Sequence, residues 1–232
     1  MNWVLFNLAL APIVAILVFI YVKDKYEREP LGLLVGCFFL GVLSVLPAIM
    51  LEKLAQKAGI NVSNNTFITF IYAFLVVGLS EEFSKFLVIR FVVFKNKDFN
   101  EPFDGIVYCV VVSMGFAAIE NVLYVMQGGV GVALMRMFTA VPAHALFGIF
   151  MGYFIGKAKF SNKKGWYLFL GLLIAVAIHG LYDFFLFQMD FVYLKFAILP
   201  LLIAALFISL KAIKIRVSNS PFIDKDNDIA LD

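Results

Sequence analysis

Seven apolar stretches, each long enough to form a membrane-spanning helix, follow one another along the chain. A transmembrane α-helix needs about 20 apolar residues, and the stretches cover approximately residues 2–22, 31–51, 67–94, 105–126, 132–156, 166–187 and 191–211. Only 15% of the residues are charged and 63% are hydrophobic. This balance excludes a soluble or nucleic-acid-binding protein, because too few polar side chains exist to cover a water-exposed surface. The pattern predicts an all-α, polytopic transmembrane helical bundle of about seven spans. An alternative of eight spans splits the third stretch at Glu81 and Glu82.

Lysine and arginine residues between the stretches predict how the bundle is oriented, because cytoplasmic loops carry an excess of both. If the first, third and fifth links share a side with the C-terminal tail, that side carries 13 basic residues and the other side carries three. The 13 are Lys23, Lys25, Arg28, Lys95, Lys97, Lys157, Lys159, Lys163, Lys164, Lys211, Lys214, Arg216 and Lys225, and the three are Lys53, Lys57 and Lys195. We therefore expect the N-terminus outside the cell membrane and the C-terminus in the cytoplasm. Residues 1–216 would form the transmembrane domain and residues 217–232 a disordered cytoplasmic tail.

Ionisable side chains inside four successive stretches are the candidates for function, because such groups are costly at membrane depth. At about 1.5 Å of rise per residue, four sets of them lie between the bilayer midplane and the outer end of their helices. We therefore expect them to converge on one cavity. They are Glu81, Glu82 and Lys85, then Glu120 and Asn121, then Arg136 and His144, and finally His179 and Asp183.

Helical spacing groups these side chains further. Lys85 follows Glu81 by four residues and Glu82 by three, so the lysine can neutralise one carboxylate within a single turn. His179 and Asp183 are also four apart, so the aspartate can orient the imidazole. A pair of acids with two histidines is consistent with hydrolysis, with a tetrahedral zinc site or with a proton or cation pathway.

Phe116 and Glu120 share a helix face, which places an aromatic ring beside a carboxyl group. The two cysteines, Cys37 and Cys109, lie in apolar stretches without a neighbouring base. No serine has the surroundings of a nucleophile either, so a serine or cysteine hydrolase is not indicated.

The chain resembles the PrsW family, bacterial intramembrane proteases of the glutamate type that are related to the type II CAAX prenyl endopeptidases. The matching segments occur in the family's order and cover nearly the whole chain. They are Tyr21–Pro30 (YVKDKYEREP), Glu81–Lys85 (EEFSK, similar to EExxK), Asp104–Tyr108 (DGIVY), Gly115–Asn121 (GFAAIEN, similar to FxxxEN), Pro142–Leu146 (PAHAL), Gly152–Ala158 (GYFIGKA) and His179–Phe184 (HGLYDF).

The resemblance implies an endopeptidase that makes the first, extracytoplasmic cut in a single-span membrane anti-sigma factor. That cut leads to release of an extracytoplasmic-function sigma factor under envelope stress. It implies catalytic roles for Glu81, Glu82, His179, Glu120 and His144, with Lys85, Asn121, Phe116 and Asp183 in support. We expect one of Glu81 and Glu82 to be the general base, and His144, His179 and Asn121 to stabilise the oxyanion or protonate the leaving amine. We expect no cofactor and no metal. The alternatives are a zinc-dependent protease that uses the same residues and a proton- or cation-coupled transporter.

Overall fold

The computed structural model describes residues 3–223, and these residues form helices and connecting turns without a β-strand. The apolar stretches of the sequence account for this result, since a helix satisfies every backbone polar group inside its own segment. The predicted all-α helical bundle is confirmed. The α-helices are α1 (Trp3–Lys23), α2 (Leu31–Leu43), α3 (Val45–Lys57), α4 (Thr66–Ile71), α5 (Leu79–Val88), α6 (Asp104–Phe138), α7 (Ala140–Lys159), α8 (Lys164–Leu186) and α9 (Ile198–Val217).

Six helical segments in the described range are long and apolar enough to cross a membrane. The longest, Asp104–Lys159, has 56 residues, which at 1.5 Å per residue is about 84 Å, far more than one crossing needs. It contains α6 and α7: the chain reverses at Gly129 within α6, and the residues that follow the reversal lead into α7, which packs antiparallel against the first part of α6. Each arm of this hairpin is long enough for one crossing.

The third span is one continuous helical stretch with two π-helical segments. It runs from α4 through Tyr72–Gly78 (π), α5 and Ile89–Val93 (π). Glu81 and Glu82 lie inside α5 without a break, so the split that the eight-span alternative requires does not occur. π-Helical insertions are frequent at functional sites because they rotate the side chains of the following turn.

Helix α6 forms the centre of the bundle, and α1, α2 and α7 pack on it. Its N-terminal half is buried at every position from Asp104 to Ala118. Close approach explains the glycines of the α6–α7 hairpin: a Cβ atom on Gly152 would lie 2.4 Å from the carbonyl oxygen of Gly105, and one on Gly105 would lie 2.5 Å from the amide nitrogen of Gly156. Two backbones can pack this closely only where side chains are missing.

One boundary follows the sequence expectation and one differs. The backbone leaves helical geometry at Gly129, where φ is +73°, and the chain reverses there, so the glycine-rich segment 127–131 is the turn between two antiparallel helical arms. At the other end, α9 reaches Val217 and the chain continues in turns, where the Ser220 hydroxyl donates a hydrogen bond to Glu101. Residues 224–232 of the predicted tail lie outside the described residues.

Candidate active site

The polar face of α5 places two carboxylates and one ammonium group inside the bundle. Glu81, Glu82, Ser84 and Lys85 are buried, with 6% of Glu81 and 0% of Glu82 exposed. Each serine of this face donates to a backbone carbonyl one turn earlier, Ser80 to Val77 and Ser84 to Ser80. The serines therefore need no partner from another helix, and the ionisable side chains interact across the bundle.

Lys85 is the centre of the site. Its Nζ atom donates to Glu82 Oε1 at 2.7 Å and to Glu81 Oε2 at 3.2 Å, and it lies 3.3 Å from His144 Nδ1. The ammonium group also lies 4.0 Å from the ring centroid of Phe116, a cation–π distance. The expectation that Lys85 neutralises one carboxylate understates its role, because it contacts both carboxylates and an imidazole on α7.

His179 joins α8 to α5. Its Nδ1 lies 2.8 Å from Glu82 Oε1, and its Nε2 lies 3.2 Å from Asp183 Oδ2 and 3.9 Å from Glu81 Oε2. Nδ1 therefore donates a hydrogen bond to Glu82, whereas Nε2 lies near two carboxylates without a well-formed hydrogen bond to either. The ring stacks on Phe147, with centroids 4.5 Å apart and planes 18° apart, which fixes its orientation.

His144 joins α7 to both α5 and α6. Its Nδ1 accepts from Lys85, because an ammonium group can only donate, so Nε2 carries the hydrogen and donates to Glu120 Oε2 at 2.7 Å. The backbone carbonyl of His144 accepts a 2.7 Å hydrogen bond from the hydroxyl of Ser113. The helix position and the imidazole are therefore fixed independently.

Arg136 lies at the cavity with the other ionisable side chains, as the sequence analysis expected, although that analysis gave it no catalytic or supporting role. Its Nη2 lies 3.0 Å from Glu120 Oε2, and its Nε donates to Asn121 Oδ1 at 2.7 Å. Arg136 reaches back to Glu120 because the chain is kinked at Gly129, so the last turns of α6 fold over the earlier ones. The available signal in the sequence was a positive charge inside the fifth apolar stretch. Only the change of chain direction at Gly129 determines that the Arg136 side chain reaches Glu120.

A cavity of about 670 Å³ opens among α3, the Tyr72–Gly78 segment, α5, α6, α7 and α8. Among the predicted site residues, those that line it are Glu81, Phe116, Glu120, His144, His179 and Asp183. Glu82 and Lys85 lie behind this wall: both are buried, and neither is among the lining residues. The two adjacent glutamates therefore occupy different positions, one facing the cavity and one holding Lys85 and His179.

Asn121 does not fit the suggested oxyanion role. It is 0% exposed, its amide nitrogen donates to the carbonyl of Ala9 at 2.8 Å, and its amide oxygen accepts from Arg136. Both polar atoms are thus engaged away from the cavity. Asn121 instead connects α1 to the arginine that holds Glu120.

Glu52 is a further cavity residue to which the sequence analysis gave no role, because it lies just past the second apolar stretch. Helix α3 continues to Lys57 and carries Glu52 into the cavity wall. The neighbouring Gln56 donates to the Tyr72 hydroxyl at 3.0 Å, which ties this end of α3 to the third span.

Comparison with known proteins shows the family of the chain. A family model described as "PrsW family intramembrane metalloprotease" matches residues 29–210. The chain belongs to the PrsW family. It is 42% identical over 183 residues to the protein named Protease PrsW from Geobacillus kaustophilus, covering 78% of this chain and 79% of the relative. The same name belongs to relatives in Bacillus subtilis, at 39% identity over 76% of this chain and 80% of the relative, and in Halalkalibacterium halodurans, at 34% identity over 91% and 96%. No solved structure matches the chain.

Family membership confirms two expectations: the resemblance to PrsW and a peptide-bond hydrolase activity. The chain is a multi-pass intramembrane protease of this family. The family description also names a metal, and a metal site requires several ligand atoms close to one another. Glu81, Glu82 and His144 offer ligand atoms within 4.8 Å of one another. However, the atoms that these residues direct at each other converge on the Nζ atom of Lys85 at 2.7–3.3 Å. An ammonium group in that position repels a metal cation, so this arrangement does not fit a metal.

Proposed function

We propose that Glu81 is the general base of a metal-free peptide hydrolysis. The observation that supports this assignment is the division of the glutamate pair, in which Glu81 lines the cavity and Glu82 lies behind it. A base must reach the water that it activates. Glu82 is completely buried and already accepts from Lys85 and His179 through one oxygen, so its role is to hold those two side chains in place.

The chemistry follows from these positions. Glu81 takes a proton from a water molecule in the cavity as the water oxygen attacks the carbonyl carbon of the substrate peptide. The carbonyl oxygen gains the negative charge, which an N–H group of His179 stabilises at the cavity wall. The C–N bond then breaks as the proton held by Glu81 passes to the leaving nitrogen. Glu120 and Arg136 hold His144 beside Lys85 and so maintain the charge around the base.

The position of the cavity supports a cut outside the cytoplasm. Its lining includes Glu52 near the end of α3, Val62 in the following link, Gln127 near the α6 kink and Phe187 just after α8. These residues belong to the second, fourth and sixth links, which are poor in lysine and arginine. By the charge bias the basic links face the cytoplasm, so the N-terminus and the cavity mouth lie on the outer side of the cell membrane.

A membrane-anchored anti-sigma factor is the substrate that this placement favours. The family resemblance implies such a substrate with one span, cut first on its extracytoplasmic side in response to envelope stress. A cavity of about 670 Å³ beneath the outer ends of the helices suits an extended peptide segment that enters from that side. The transporter alternative is not favoured. At 1.5 Å per residue the buried acids near Asp104 lie about 24 Å from Glu120 along α6, with a buried, mainly apolar half-helix between the two groups.

Co-expression with a candidate anti-sigma factor tests the proposal. The anti-sigma factor carries a tag on each side of its membrane span, and cleavage is read from fragment sizes for the wild type, Glu81→Gln and Glu82→Gln. Asp98→Asn is the matched control, because it also neutralises one carboxylate but lies in the link before α6. We expect an extracytoplasmic cut that both glutamate variants abolish and the control retains. Cleavage of the cytoplasmic part, or equal cleavage by all variants, contradicts the proposal.

A further inference from the structure

A second set of buried carboxylates lies at the opposite end of the bundle from the cavity. We call Asp24, Glu29, Glu101 and Asp104 the carboxylate cluster. Their exposed fractions are 0%, 2%, 1% and 0%. Asp24 and Glu29 come from the link between α1 and α2, Glu101 from the link before α6, and Asp104 is the first residue of α6. The protease mechanism uses none of them.

The four carboxylates share one pattern, in which a protein donor holds one oxygen of each. The Asp24 carboxylate accepts from the backbone amide of Glu29 at 3.2 Å, and Glu29 accepts from the Tyr108 hydroxyl. The Asp104 carboxylate accepts from the amides of Asn100 and Glu101, both at 2.8 Å, and Glu101 accepts from Ser220. These donors orient the carboxylates as outer partners orient metal ligands.

The other oxygens of three of these groups accept no hydrogen bond from a protein donor, and the Glu29 and Asp104 carboxyls lie within hydrogen-bonding reach of each other, so a proton or a cation must lie between them. Asp24 Oδ1, Glu29 Oε1 and Asp104 Oδ1 are buried without a hydrogen bond, as is Asn100 Oδ1 beside them. Buried polar atoms are normally satisfied, so unpartnered oxygens on three neighbouring side chains point to a ligand between them. Ligand oxygens of Asp24, Glu101 and Asp104 lie within 4.8 Å of one another.

Within the described part of the chain no ion pair involves the cluster, and the cations nearest to it, Arg28 beside Asp24 and Lys159 beside Asp104, act only over a longer distance. The ion pairs found there involve the catalytic carboxylates and Asp183, and none involves a member of the cluster. The nearby ammonium of Lys159 donates instead to the carbonyl oxygens of Phe94 and Asn96, at 2.8 and 3.0 Å. Four buried carboxylates therefore lack a direct ion pair, although buried charges are normally paired.

We infer that the carboxylate cluster binds a hard divalent cation, Ca²⁺ or Mg²⁺, that ties the α1–α2 link to the start of α6. Carboxylate and amide oxygens are the ligands that these ions prefer, and Ca²⁺–oxygen distances of about 2.3–2.6 Å span the separation of the ligand atoms. Protons are the competing occupants. Without a cation, burial raises the pKa of Asp24 to about 6 and, with the neighbouring Asp104, that of Glu29 to about 9.

Thermal unfolding of the purified full-length protein in detergent tests the site. The protein is first treated with EDTA and then titrated with CaCl₂ or MgCl₂. At a cation concentration one hundred times the dissociation constant, we expect the unfolding midpoint to rise by roughly 5–10 °C. Asp24→Asn and Asp104→Asn should each lose at least about tenfold in cation affinity. Asp98→Asn makes the same chemical change in the adjoining link and should bind as the wild type does.

Tb³⁺ luminescence provides a second measurement on the wild type alone, so the test survives a variant that fails to accumulate. Tyr108 contacts Glu29 and is placed to sensitise a Tb³⁺ ion in the cluster, with Ca²⁺ displacing the signal. Glu82→Gln should leave this signal unchanged, which separates the cluster from the protease site. A wild-type midpoint that does not respond to either cation overturns the inference. So does a response of Asp24→Asn and Asp104→Asn to the cations that equals the response of the wild type.

Discussion

Changing Glu81 and Glu82 separately to glutamine should give two different kinds of inactive protein. Both residues carry a carboxylate on the same turn of α5, and Glu→Gln preserves shape while it removes the charge. Loss of a general base lowers the rate by about 10²–10⁴-fold, which corresponds to about 3–5 kcal/mol in the activation free energy. We expect that loss for Glu81→Gln in a protein of nearly normal stability, because Glu81 faces the cavity and contacts Lys85 only at 3.2 Å.

Glu82→Gln should lose stability as well as activity. Its Oε1 accepts from Lys85 at 2.7 Å and from His179 at 2.8 Å. Charged hydrogen bonds contribute about 1.5–3 kcal/mol and neutral ones about 0.5–1.5 kcal/mol, so converting both costs about 2–3 kcal/mol. For a chain of this size that loss lowers the unfolding midpoint by roughly 4–12 °C.

A thiol-reactive dye can follow unfolding in detergent, because both free cysteines, Cys37 and Cys109, are buried in the folded protein. Cleavage of a double-tagged substrate is measured on the same preparations, with Asp98→Asn as the control for expression and insertion. Cleavage by Glu81→Gln within about threefold of the wild type would refute the base assignment, since base loss predicts at least about 10²-fold. A larger midpoint loss for Glu81→Gln than for Glu82→Gln would refute the division of roles between the two residues.

Three other changes test separate parts of the structure. Arg136→Met removes the 3.0 Å ion pair with Glu120 and leaves that carboxylate beside His144 alone, so cleavage should fall several-fold and Arg136→Lys should restore part of it. Gly152→Ala places a Cβ atom 2.4 Å from a backbone oxygen of α6 and should reduce the amount of folded protein in membranes, whereas Gly32→Ala, with nothing within 4 Å, should not. Phenanthroline in buffer that contains Mg²⁺ should leave cleavage by the purified enzyme unchanged, while reversible loss that zinc restores would show that a metal displaces the lysine from the site.

The sequence by itself determined the fold class and predicted most of the side chains that the structure brings together at the candidate site. Apolar runs of about 20 residues can satisfy their backbone only as helices in a bilayer, and ionisable groups inside such runs are rare enough to mark a site. Spacings of three and four residues then paired Lys85 with Glu81 and Glu82, and Asp183 with His179, because these contacts lie within one helix turn. Each of these inferences depends on neighbours in the chain.

Contacts between distant segments required the tertiary structure. Adjacent residues point about 100° apart on a helix, so either Glu81 or Glu82 could face the cavity until the packing of α7 and α8 around α5 decided which. The kink at Gly129 directed Arg136 to Glu120, and the continuation of α3 carried Glu52 into the cavity wall. The carboxylate cluster shows the same limit, since its members come from links that sequence patterns treat as solvated surface. Their burial depends on how the helix ends meet, a relation between segments up to 80 residues apart in the chain that no local spacing encodes.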